Sequence, residues 1–187
     1  MRRLEALSPW VRWGLVALLQ LILIALPLVE RWSVHATGQE VTLALRPVDP
    51  RDLLRGDYVI LNPEIGRISR QQVANETDIS EFALGGPVWT VVERDGEGVF
   101  RAVDVLPEPP QDGRVALKGR AGSMVSGDEL RITYGLSAFF VPQGKGKEIE
   151  TMPRETIRLV VAVTGDGRSA PLRLMANGKV LLEDSAF

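Results

Sequence analysis

The run TIRLVVAVTGDGRSAPLRLMANGKVLL (residues 156–182) reads as strands separated by turns. Residues 156–164 are dominated by β-branched and aliphatic side chains, and residues 172–175 and 180–182 are shorter apolar runs. Gly165-Asp166-Gly167 and Asn177-Gly178 stand between them. Branched side chains pack well on a pleated strand and are crowded in a helix. Asn-Gly and Gly-rich steps supply the positive φ of tight hairpin turns. Antiparallel β structure follows for this segment.

Working toward the N-terminus, the same punctuation recurs. Candidate strands fall at residues 41–48 (VTLALRPV), 57–61 (DYVIL), 88–94, 99–105, 114–118, 129–134 and 138–141, with Asp95-Gly96 marking another hairpin. Residues 68–84 are polar, with apolar residues at Val73, Ile79 and Phe82, and are expected to hold a short helix or a long loop. PEPPQDG (residues 107–113) reads as a rigid turn within one domain. There is no internal repeat. The expected fold is mostly β: one antiparallel, β-rich domain over residues 41–187.

What precedes it is different in kind. WGLVALLQLILIALPLV (residues 13–29) carries no charge and is apolar all round, unlike the striped helix of a soluble core. As helix it is roughly 26 Å long, and extending it to residues 10–32 gives roughly 34 Å, enough for a bilayer core of about 30 Å. Trp10, Trp13 and Trp32 bracket it, where indoles favour the membrane interface. Arg2, Arg3 and Arg12 lie before it and only Arg31 close behind. The positive-inside bias therefore expects residues 1–12 in the cytoplasm, an inner-membrane anchor over 13–32, a linker over 33–40 and a periplasmic domain beyond. The rival is a cleaved signal peptide, with Val34-His35-Ala36 as a small-residue site.

Composition excludes several classes. Net charge is −2, and the remainder is more acidic once Arg2, Arg3, Arg12 and Glu5 are set aside, so a broad basic face for nucleic acid is not expected. With no cysteine and a single histidine, His35, neither thiolate chemistry nor a histidine metal site is expected, and no cofactor is implied.

Two further blocks carry a resemblance. PVDPRDLLRGDYVIL (residues 47–61) resembles the GDYXXLXY family, named for its Gly-Asp-Tyr-x-x-Leu-x-Tyr motif. YGLSAFFVPQGKGKEIE (residues 134–150) is similar to the family's second block, and DGRSAPLRLMANGK to its ending. The sequence departs from the pattern at Pro63, where the second tyrosine would stand, and at Gln143, where an acidic residue is usual. The resemblance implies an N-terminal anchor with an extracytoplasmic domain, encoded beside multi-span membrane proteins. It supplies no activity.

Read as chemistry, these blocks offer binding groups more than catalysts. Arg55, Asp57 and Tyr58 sit in a polar turn opening a strand, which a structural turn also explains. Arg55-Gly56-Asp57 spells an adhesion tripeptide that recurs by chance. Tyr134, Phe139 and Phe140 provide aromatic surface or core. Gly144-Lys145-Gly146-Lys147 lacks the spacing and the following helix of a phosphate loop. Glu148 and Glu150, like Asp49 and Asp52, lack the ligand density of a Ca²⁺ loop and read as solvated turns.

Three function classes stay open. In the first, the chain is a non-enzymatic accessory protein, held on the lipid bilayer and docking on a multi-span membrane partner through Phe139 and Phe140. The second is a Ser/Lys peptidase similar to type I signal peptidase, with Ser33 as nucleophile and Lys118 as base. Ser33 lacks the Met-x-Pro that follows in that family, and Lys118 reads equally as a surface lysine whose stem covers apolar area. The third is a small-ligand or envelope-sensing domain with a pocket lined by Arg55, Tyr58 and Tyr134.

Overall fold

The computed structural model describes residues 8–46, 58–70, 82, 84–125, 129–136, 138–140, 152–153 and 156–183. It begins with one helix, α1 (Pro9–Thr37). Pro9 suits its first position, where no intrahelical N–H bond is lost. Its 29 residues make roughly 44 Å of helix. An 18-residue window within it has mean hydropathy 2.1, and none of that window is buried against the protein. Such a helix is long and apolar enough to cross a membrane.

Among the described residues the helix is followed by strands β1 (Gln39–Ala44), β2 (Tyr58–Ile60), β3 (Arg67–Ser69), β4 (Pro87–Arg94), β5 (Phe100–Leu106), β6 (Ala116–Val125), β7 (Glu129–Thr133), β8 (Ala138–Phe140), β9 (Ile157–Val163), β10 (Ser169–Ala176) and β11 (Lys179–Glu183). A 3-10 turn, Glu64–Gly66, precedes β3. Nine strands form one sheet in the order β11-β10-β9-β1-β5-β4-β6-β7-β3, and β2 pairs with β8 separately. Neighbours are antiparallel except β1 and β5, which run parallel and meet at Leu43 and Phe100. The sheet is therefore mixed, correcting the purely antiparallel expectation. β1 lies between β9 and β5, which run in opposite directions, so it must be parallel to one of them.

The residues expected as a linker, 33–40, are almost all in regular structure. The helix continues to Thr37, and Gly38 alone separates it from β1. Packing explains this: Val34 is buried against Ala162 of β9 and Ala170 of β10, which holds the last helical turn on the sheet. The region expected as helix or loop contains β3 at its start, while residues 71–81 and 83 lie outside the described residues. β6 runs seven residues past the predicted strand end at 118, because Gly119 and Gly122 let neighbouring chain approach where a side chain would collide.

β9 shows how the layers are built. Ile157, Leu159, Val161 and Val163 point into the main core with Val41, Leu43, Leu117 and Leu174. Ala162 points the other way, toward the helix. A second core under β4, β6 and β7 joins Val88, Ala121, Leu130 and Ile132 to Ile68 and Phe82. The sheet also folds back on itself. Lys118 N–H donates to Gly167 O at 2.7 Å, and Trp89 Nε1 donates to Asp166 O at 3.0 Å, so the β9–β10 turn sits on β4 and β6. Among the described residues the one buried charge is Asp104 of β5, which accepts its neighbour Val105's N–H and faces Arg114 Nη1 at 3.7 Å.

Candidate functional site

Tyr134 follows β7 directly and opens the second motif block. Its hydroxyl donates to Ile65 O at 2.9 Å, in the turn just after the first block. It lies 2.6 Å from Thr90 Oγ1 of β4. With the phenol proton committed to Ile65, Thr90 is the donor in that second contact. Thr90 is fully buried, so the phenol satisfies a hydroxyl that water cannot reach. Burial raises the Tyr134 phenol far above its ordinary value of 10.0, against the smaller opposing effect of the Thr90 hydrogen bond. A phenol so held positions neighbouring groups and does not work as a proton carrier near neutrality.

Tyr134 lines three cavities. One, of about 320 Å³, lies beside Asn62, Pro63 and Leu136 and is flanked by Arg67 and Arg131. Those arginines stand directly opposite each other across β3 and β7. Like charges so placed repel, and among the described residues no carboxylate pairs with either. The arrangement suits an anion. A second cavity, of about 560 Å³, lies beside Lys118, Gly119 and Arg120. Gly119 is required there: a Cβ would come within 2.5 Å of Ile132 Cγ2 and 3.0 Å of the Tyr134 ring.

The third cavity lies between the helix and the domain and again includes Lys118. Lys118 is exposed, its ammonium 5.1 Å from the centroid of the Trp89 ring. Ser33 is on α1, where its carbonyl accepts the Thr37 hydroxyl at 2.8 Å. The helix side of the Lys118 cavity is formed by Pro27 and Val34, and Ser33 is not among its walls.

Other sequence candidates are placed in part. Tyr58 pairs with Phe140 and Val59 with Phe139 in the β2–β8 ribbon, so the two blocks meet backbone to backbone. Arg55, Asp57, Glu148 and Glu150 lie outside the described residues. No group of three or more metal-ligating side chains occurs among the described residues. Sequence reasoning found Tyr134 but missed Thr90, Arg67 and Arg131. Nothing in their local sequence signals a site, because only strand register brings them together.

The GDYXXLXY protein family model matches residues 20–174, from within the helix to within β10. The chain belongs to the GDYXXLXY family. Comparison with curated proteins finds no match, and neither does comparison with solved structures. Within this GDYXXLXY chain, the described part of the name-giving motif is Tyr58 through Pro63. It becomes strand β2 and one wall of the arginine cavity. Pro63, where the motif's second tyrosine would stand, is buried and bridges to Leu45 after β1.

Proposed function

We propose that this GDYXXLXY protein is a membrane-anchored interaction module, its N-terminus cytoplasmic and its β domain extracytoplasmic, that docks on a multi-span membrane partner without chemistry of its own. The observation that carries this reading is the ribbon made by the two motif blocks. It stands apart from the nine-stranded sheet, and among the described residues neither outer edge pairs with another strand. An open strand edge is a ready acceptor for a partner's strand. The Arg67 and Arg131 pair next to it favours a partner segment that carries carboxylates.

The chain has no cysteine, so single cysteines make clean probes. Placed at Val59 or Phe139 and coupled to a photoactivatable crosslinker in intact membranes, they are expected to trap one membrane protein of defined mass. A cysteine at Val180, exposed on β11, is expected to trap none. Equal or absent adducts at all three would sink the docking reading. The Val180 cysteine also tests orientation: a membrane-impermeant maleimide should label it in intact cells.

A further inference from the structure

The end of α1 and the β domain do not meet flush. The cavity between them has a volume of about 430 Å³, with Pro27 and Val34 on the helix side and Lys118, Arg168, Ser169 and Pro171 on the domain side. The helix wall is apolar and reaches into the candidate span, since Pro27 lies roughly 15 Å along the axis from Thr37. The domain wall is polar. Arg168 gives its Nε to Asp166 at 2.7 Å, so its charge is largely offset locally. Lys118 is exposed and held over the Trp89 ring, which orients an ammonium without neutralising it. Ser169 Oγ is buried and has no hydrogen-bond partner, an arrangement that costs stability unless a ligand completes it.

We propose that this cavity seats the headgroup of an anionic phospholipid. Its phosphate lies toward Lys118 and the Ser169 hydroxyl, and its acyl chains run along the Pro27 side of the helix. Continuity favours lipid over dissolved phosphate: the cavity's helix wall is part of the same apolar surface that a bilayer covers. The combination of an apolar wall and a cation at the end of a span matches the boundary between headgroup and acyl chain.

The test is native mass spectrometry of the full-length protein in detergent, titrated with phosphatidylglycerol or phosphatidylcholine. The expected result is a one-to-one phosphatidylglycerol adduct that is preferred over phosphatidylcholine. Lys118→Gln should weaken it about fivefold, as expected for one juxtamembrane cation, while Lys179→Gln on β11 leaves it intact. Ser169→Ala gives an independent arm that does not depend on Lys118. Removing an unpartnered hydroxyl should leave the melting temperature of the lipid-free protein unchanged or raised, yet weaken the adduct. Indifference of the adduct to both substitutions, or equal retention of the two lipids, overturns the site. If inorganic phosphate alone raises the melting temperature of the lipid-free protein and displaces phosphatidylglycerol, the lipid assignment is overturned in favour of a soluble anion.

Discussion

Tyr134 and Asp95 show what a single residue can and cannot announce. Asp95 was legible as a turn because its partners are close in sequence. Its carboxylate accepts the N–H groups of Glu97 and Val99 at 2.9 Å each and Arg101 Nε at 2.8 Å. The Val99 N–H, and then Arg101, hold it below the usual aspartate value. Tyr134 stood out only as an aromatic near a motif, because its partners Thr90 and Ile65 are 44 and 69 residues away. Its buried phenol leads to a pH prediction with a definite sign. The folded state holds the proton more tightly than the unfolded chain, so the Tyr134 contribution is complete below the ordinary tyrosine value near 10 and falls as pH rises beyond it. The chain has two tyrosines, so a Tyr58→Phe variant leaves Tyr134 alone to report. Its absorbance should show no phenolate until the protein unfolds at high pH, and a smooth titration near pH 10 would disprove the buried arrangement. Tyr134→Phe should cost about 1–3 kcal/mol at neutral pH, from the Thr90 and Ile65 groups left unpaired.

At the scale of elements, most strands were legible because branched runs and turn residues act locally. Their order was not. β1 pairs along its whole length with β9, Gln39 opposite Val163 and Ala44 opposite Arg158, and nothing in either segment names the other. The same pairing explains why the helix ends where it does. To enter β1 beside β9, the chain must pass close over the sheet at Gly38. A Cβ there would sit 2.6 Å from Val34 O, 2.8 Å from Ala162 Cβ and 3.0 Å from Val163 N. Two of those atoms are backbone and cannot swing away. Gly38→Ala should therefore lose about 1–3 kcal/mol through overpacking. Gly14→Ala, inside α1 with nothing within 4 Å, should be neutral or slightly stabilising. Thermal unfolding in detergent, followed by the β signal of circular dichroism, compares the two. Equal melting temperatures would mean that the helix exit is not packed on β9.

For the whole molecule, the two groups of strands share the main core, and among the described residues two backbone links join them. One is β1, whose parallel contact with β5 is confined to Leu43 and Phe100 and is too short to fix their relative position alone. The other is the β9–β10 turn, which reaches across to Trp89 and Lys118. Sequence marked that turn by its glycines but not what it touches, because closing the sheet is a property of its accumulated twist and not of any local run. Gly167 is the point of closure. Its φ is +89°, and a Cβ would meet Trp89 Cδ1 at 2.8 Å and Lys118 N at 3.0 Å. Gly167→Ala thus combines backbone strain of about 1–2 kcal/mol with overpacking of about 1–3 kcal/mol. The expected loss, about 2–5 kcal/mol, lowers the melting temperature of a domain this size by roughly 2–4 °C for each kcal/mol. In a background where Trp10, Trp13 and Trp32 are phenylalanine, Trp89 emission should also shift to the red as the indole loses Asp166. Gly165→Ala in the same turn meets nothing within 4 Å and should leave emission unchanged. A Gly167→Ala protein with native melting and native emission would show that the β9–β10 turn does not help to hold the two groups of strands together.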